Sequence, residues 1–344
     1  MKSVRLTGIR KLEIVDVEKP SVSSNNEVLL KIESVGVCGS DVHYYETGRI
    51  GSQVVDYPFV VGHECAATVE EVGEGVTSVM VGDRVVVEPA ISCGQCDQCR
   101  QGRENTCRNL KFLGCPGQIE GCLSEYIIMP QRCCLKMPAK MSFEQGALCE
   151  PVAIGVYAVE QSGVCDGSDI AILGSGPIGL SCMAAARAAG VKNIFMTDKI
   201  DDRVAVARNN GAIWAGNPVR ENIVTEILDQ ESSGMDVVFE CAGQQETIDE
   251  AIELLKPGGK LMLIGIPRDE RVSFVIDKMR RKEITVVNVR RQNGCTEDTI
   301  DMISDGRLDA DFMITHRFEL EDTQRAFDLV SEYGDGVVKA MIEF

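Results

Sequence analysis

From Ser168 onward the chain alternates short apolar strands with helices, and that alternation restricts what it can fold into. SDIAILG reads as a strand and PIGLSCMAAARAAG as a small-residue helix closed by a glycine. NIFMTD reads as a second strand and DDRVAVARNNGA as a second helix. Further strands follow at MDVVFECAG, GKLMLIGI and EITVVNV, and QQETIDEAIELLKPGG supplies a helix with a Pro-Gly-Gly stop between two of them. A pattern of this kind predicts an α/β fold, a doubly wound parallel sheet with helices on both faces.

The first turn of this region carries Gly174-Ser175-Gly176-Pro177-Ile178-Gly179, a G-x-G-x-x-G run between a predicted strand and a predicted helix. Gly174 makes the tight turn, Gly176 lets backbone approach a pyrophosphate, and Gly179 lets the helix pack on the strand. The helix N-terminus then offers unpaired N–H groups to phosphates. Asp198 ends the second strand, nineteen residues after Gly179. An acid at that distance accepts hydrogen bonds from the adenosine ribose and repels a 2′-phosphate, which favours NAD over NADP. Lys199 and Arg203 are basic groups nearby that tolerate such a phosphate.

The first 150 residues have a different texture. Short β-branched runs such as EVLLKIESVGV, CAATVEEVG, DRVVVEP and SEYIIMP, with turn residues between them, predict an all-β, barrel-like unit. Near Phe143 the spacing becomes helical and leads out of this unit. At 344 residues, two domains are expected. They are 1–150, completed by a tail 291–344 that folds back onto it, and 151–290.

Cys93, Cys96, Cys99 and Cys107 are spaced C-x2-C-x2-C-x7-C. Four thiolates on one short loop can close a tetrahedral shell around one zinc with no open position, so the site is expected to be structural. The alternative is a disulfide knot, which compartment and size argue against. The chain is long enough to bury real cores. Its first twenty residues have no apolar core of a secretory signal, and no stretch reaches the roughly 18 apolar residues of a membrane span. Both point to the cytoplasm, where others of the fifteen cysteines serve as small buried hydrophobes. The net charge of −18 repels phosphate backbones and argues against nucleic-acid partners.

Cys38 and His63 suggest a second, open metal site, because thiolate and imidazole both suit zinc. A carboxylate should complete the set, and Glu64 and Glu150 compete for that place. In a regular strand residues 63 and 64 would face opposite ways, so Glu64 serves only if the backbone kinks there. Glu150, in CEPVAIG, needs no such distortion. Geometry read from the sequence leaves the choice open.

With CGSDVHYYETGRIG at 38–51, Gly62-His63-Glu64, Glu150-Pro151, the glycine motif and Asp198 in hand, the chain resembles the zinc-dependent medium-chain dehydrogenases. Within them it is similar to the polyol (sorbitol, xylitol, L-iditol) dehydrogenases. The resemblance runs along essentially the whole chain. It implies a GroES-like catalytic domain followed by a Rossmann domain, with one catalytic and one structural zinc per chain. NAD-linked oxidation of a secondary hydroxyl of a sugar alcohol to a ketose is the implied reaction. It also ranks the ligands: Cys38, His63 and Glu64 on the metal, with Glu150 holding a water or the substrate. Ser40 and His43 are expected to relay the released proton outward. Tyr44, Phe112 and Arg291 are expected to hold the polyol, and Ile178, Arg203, Ile264, Gly265, Ile266 and Val289 to line the dinucleotide. A homodimer or homotetramer is implied, formed by pairing of EITVVNV edges. Two residues depart from the family pattern: Ala67 stands where a glycine is usual, and Gln292 where a tyrosine is common. The competing readings are a zinc dehydrogenase for butanediol, threonine or a cyclic polyol, and a non-catalytic dinucleotide-binding protein on the same fold.

Overall fold

The computed structural model describes residues 1–267 and 271–344. It divides into two units: Met1–Glu150 with Thr296–Ser304 and Ile314–Phe344, and Pro151–Cys295 with Asp305–Met313. The C-terminal part therefore does not go as one piece to the first unit. Residues up to Cys295, Arg291 included, and Asp305–Met313 cluster with the second. Side chains account for this: Cys295 Sγ lies 3.5 Å from a Glu160 carboxylate oxygen, and buried Met313 accepts from Ser181 Oγ at 3.9 Å.

The second unit carries six strands in the spatial order Trp214–Gly216, Asn193–Thr197, Asp169–Leu173, Met235–Glu240, Leu255–Leu263, Thr285–Asn288. All neighbours pair in parallel. The central strands are buried on both faces, which is why they read as continuous apolar runs and not as alternations. The strand Trp214–Gly216 and the helices Ile223–Gln230 and Ile276–Lys282 are additional to the elements read from the sequence. The strand is too short to show a period.

In the first unit a seven-stranded sheet runs Cys134–Lys136, Arg84–Val87, Glu64–Val72, Glu27–Gly36, Lys339–Glu343, Ile314–Glu319, with Tyr126–Pro130 also pairing Glu27–Gly36. The last strand of the chain thus lies beside one of the first: Met341 pairs Gly36 and Ile342 pairs Val35. Interleaved aliphatic side chains, among them Leu30, Ile32, Val61, Val85 and Ile342, form its core. The β-branched texture hid one helix here. Gly39–Thr47 is α-helical although GSDVHYYET has no clean apolar stripe. Gly48 ends it in the left-handed region at φ 70°, the conformation glycine adopts without strain.

The helix Phe143–Ser162 leads from the first unit into the second, and Glu150 lies in its interior beside Pro151. No helix among the described residues is long and apolar enough to cross a membrane.

One close backbone crossing fixes the segment before Glu64. Gly121 N–H donates to Val60 O at 2.7 Å, and a Cβ on Gly121 would sit 2.2 Å from Val61 O. Neither backbone can yield without moving the approach to His63. Gly121→Ala is expected to cost about 1–3 kcal/mol of stability, read as a lowered denaturant midpoint with unchanged slope.

Candidate active site and metal centres

The strand Glu64–Val72 begins at Glu64, not before it, and Gly62 just upstream has φ +100°. The kink that sequence reasoning required is therefore present. His63 stands outside the strand and its side chain shares a side with that of Glu64. As a result, one ligand atom each from Cys38, His63 and Glu64 lie within 4.8 Å of one another. His63 and Glu64 are buried, and Cys38 is half-buried.

Asp41, which the sequence did not single out, organises this cluster. Its carboxylate accepts from the N–H of Gly62 at 3.1 Å and of Cys38 at 3.4 Å, tying two ligand-bearing segments together. Asp41 Oδ1 also lies 3.4 Å from His63 Nδ1, which leaves Nε2 as the nitrogen available to a metal. Burial opposes a charged imidazole. The Asp41 carboxylate and the Cys38 thiolate outweigh it and raise the His63 pKa well above its ordinary value. Anionic groups converging on a buried imidazole form a site that attracts a cation, so the donor set fits a divalent ion with one sulfur, one nitrogen and one oxygen ligand.

Glu64 has a second neighbour that sequence reading missed. Lys339 Nζ donates to both of its carboxylate oxygens, at 2.6 and 2.8 Å, with both side chains only 1% exposed. The only sequence sign is a lysine set in the apolar run VVKAMI near the end of the chain. Glu150 is buried as well. Desolvation pushes its pKa up to about 7, with Glu64 and Glu88 adding to the shift and His63 and Lys339 opposing it. It neighbours the cluster electrostatically without belonging to the close triad.

Two of the remaining catalytic candidates of the first unit, Ser40 and Phe112, lie against these groups. Ser40 Oγ donates to Cys38 Sγ at 3.3 Å. The Phe112 ring lies 5.2 Å from the His63 ring, centroid to centroid. Tyr44, one helical turn beyond Ser40, donates through its hydroxyl to Gln53 Oε1 at 3.1 Å. Gln53 Nε2 in turn donates to Cys115 Sγ at 2.8 Å. His43 is half-buried on the same helix. Arg291 belongs to the second unit and adopts φ +53°. The sequence does not single out Gln53 and Cys115, because neither stands in a motif of metal-ligand spacing.

The four other cysteines converge as their spacing predicts. Sγ–Sγ separations are 3.5 Å for Cys96–Cys99, 3.9 Å for Cys96–Cys107 and 4.0 Å for Cys93–Cys99. Zinc–sulfur bonds of about 2.3 Å in a tetrahedron require edges of about 3.8 Å, so the four atoms match a metal shell and are far too distant for disulfides. Backbone N–H groups of Gln95 and Cys96 pull the Cys93 pKa down to about 6, while desolvation pushes Cys99 up to about 12. A dication would compensate the uneven charge.

In the second unit the glycines do what their motif requires. A Cβ on Gly179 would stand 1.8 Å from Gly174 O, so the helix packs against the turn only as glycine. Gly176 caps the helix Pro177–Ala188, Ile178 lies in its first turn, and buried Arg203 reaches within 3.5 Å of where a Gly176 Cβ would be. Asp198 accepts from Ser175 N–H at 2.8 Å and from Ile200 N–H at 2.9 Å, which locks it beside the turn. Ile264 and Gly265 donate their N–H groups to Glu240 O, Ile266 is 53% exposed, and Val289 N–H bonds Leu263 O. These residues all follow the carboxyl ends of parallel strands, where such sheets bind ligands.

Two family models match the chain: the alcohol dehydrogenase GroES-like domain over residues 24–139 and the zinc-binding dehydrogenase domain over 177–305. The chain is 35% identical over 343 residues to a sorbitol dehydrogenase of Bacillus subtilis (strain 168), covering 99% of itself and 97% of that protein. It belongs to the zinc-binding dehydrogenases. An L-idonate 5-dehydrogenase of Vitis vinifera is 36% identical to this dehydrogenase over 346 residues, covering 98% of this chain and 93% of the other. The crystal structure of an alcohol dehydrogenase of Escherichia coli CFT073 complexed with NADH superposes with TM-score 0.92 at 29% identity, over 100% of this chain and 99% of that one. The protein is thus an oxidoreductase with a GroES-like and a Rossmann-type half.

Cys96→Ser is expected to remove about one zinc per chain and to lower the thermal midpoint, because the four-sulfur shell contributes folding energy directly. NAD affinity should stay near the parent value. Metal analysis and a thermal melt check both.

Proposed function

We propose that this dehydrogenase oxidises a secondary hydroxyl of a sugar alcohol to a ketone with NAD as acceptor, using a zinc ion held by Cys38, His63 and Glu64. The single observation that carries the reading is the convergence of those three ligand atoms within 4.8 Å. The named relatives that act on sorbitol and L-idonate support a polyhydroxylated substrate.

Zinc, when bound, supplies Lewis acidity that lowers the pKa of a substrate hydroxyl beside it, and NAD, when bound, accepts the hydride. The chain's own residues do the rest. Ser40, hydrogen-bonded to Cys38 Sγ, stands beside the metal ligands as the first acceptor of the hydroxyl proton. His43, three residues further along the same helix, passes that proton towards solvent. Glu150, its pKa near 7, orients the hydroxyl or the water that precedes it. Tyr44 with its Gln53 partner offers hydrogen bonds to substrate hydroxyls, and Phe112 walls the pocket beside His63. Such a pocket discriminates against apolar alcohols, because they leave its polar groups unpaired. Arg291 is assigned to the polyol from the resemblance. In the second unit, Asp198 takes the adenosine ribose and the helix that Gly176 caps takes the pyrophosphate.

The four-cysteine loop takes the structural zinc. None of the fifteen cysteines is paired in a disulfide, a pattern that suits a reducing compartment such as the cytoplasm. Thr285–Asn288 is an edge strand of the six-stranded sheet, and its pairing with a second copy would build the homodimer or half of a homotetramer.

Steady-state kinetics with NAD against sorbitol, xylitol, galactitol, arabitol, an inositol, 2,3-butanediol and threonine tests the substrate class. At least one acyclic polyol should exceed butanediol and threonine in kcat/KM, and the reverse ranking would reassign the enzyme. Cys38→Ser should lower kcat/KM by at least about a hundredfold with NAD affinity unchanged. Turnover that survives the substitution refutes the metal site.

A further inference from the structure

The Lys339–Glu64 ion pair is unlike surface pairs such as Lys2–Glu321 and Arg325–Asp322, whose side chains are 41% or more exposed. Both of its members are 1% exposed. Taking an ammonium out of water costs several kcal/mol unless every donor is used. Here each of them is: Nζ bonds Oε1 and Oε2 of Glu64 and, at 3.1 Å, the carbonyl of Val37, the residue before Cys38.

Three adjacent strands build the pair. Glu64 pairs Gly36, and Gly36 pairs Met341, which lies on the same face as Lys339. A Cβ at Gly36 would stand 2.3 Å from Glu64 Oε2. Glycine therefore provides the space into which the carboxylate leans, and Lys339 provides the charge that holds it there.

We propose that Lys339 is a positioning residue that weakens the hold of Glu64 on the catalytic metal and so keeps that metal electrophilic. The inference rests on the metal reading given above. A carboxylate has about four lone-pair sites, so Glu64 can hold the ammonium and still give one oxygen to an ion. A dication with the Cys38 thiolate and the Glu64 carboxylate is electrically neutral. The ammonium of Lys339 returns one positive charge to the set and draws electron density away from the shared carboxylate. Removing that charge makes Glu64 a stronger ligand. The metal is then bound more tightly and polarises the substrate hydroxyl less.

This gives a signature that structural damage does not. Loss of packing weakens metal binding and turnover together. Loss of the charge strengthens one and weakens the other. The test uses the full-length chain. Zinc affinity is measured by competition with a chelator, coordination by the visible absorption of the Co2+-substituted protein, and turnover on the best polyol. Lys339→Met is expected to tighten zinc at the open site about tenfold and to lower kcat about tenfold, with the cobalt spectrum shifted and the KM for NAD unchanged. Lys339→Arg keeps the charge and should restore all three readouts. Should the methionine variant fail to fold, Lys339→Gln keeps N–H donors for Glu64 without the charge and should show the same opposed changes. Zinc affinity and turnover that fall together, or that both stay at parent values, overturn the inference. A parent chain that holds only the four-cysteine zinc overturns the metal reading itself, which separates the two failures.

Discussion

The register of three neighbouring strands is the constraint on which the catalytic half depends. Gly36 sits between Glu64 and Met341. One residue of slip in either pairing would turn Glu64 or Lys339 to the opposite face. The carboxylate would then lose both the space over Gly36 and its counter-ion. The C-terminal strand therefore reaches the candidate metal site although Lys339 lies 275 residues from Glu64 in sequence. Cys38 lies two residues past the end of the strand that holds Gly36, so the same pairing that places Glu64 also places the sulfur.

Around that frame the ligand set is held by polar groups that are nearly all satisfied. Asp41 spends its oxygens on Gly62, Cys38 and His63, and Lys339 spends its donors on Glu64 and Val37. Buried charge is tolerable in a β-rich core only under such conditions. The four-cysteine loop works differently. It has little apolar core of its own, and its geometry follows from short local spacing and N–H···S contacts such as Cys93 N to Cys107 Sγ at 3.2 Å.

The dinucleotide half was legible because its signals are local. A glycine that must touch backbone, a strand that must be apolar on both faces and an acid at the next strand end each follow from residues a few positions apart. The catalytic half was legible mainly through residue types. Cys38, His63 and Glu64 could be nominated, but the proximity of Glu64 to the other two depends on a kink at Gly62 that no local pattern announces. The helix Gly39–Thr47 was overlooked because both of its sides meet protein, with Asp41 and Val42 buried as well as Tyr44 and Tyr45, so it shows no polar stripe.

The sequence by itself determined the two architectures, the four-sulfur shell, the phosphate turn and the candidate metal ligands, since each depends on spacing or on side-chain chemistry within one short segment. Tertiary structure alone decided that His63 and Glu64 point the same way, that Asp41 orients His63, that Lys339 meets Glu64, and that Asp305–Met313 joins the second unit. Those outcomes depend on which strands pair and in what register. Pairing between distant segments is set by the burial of whole faces together, a quantity that no single stretch of the chain contains.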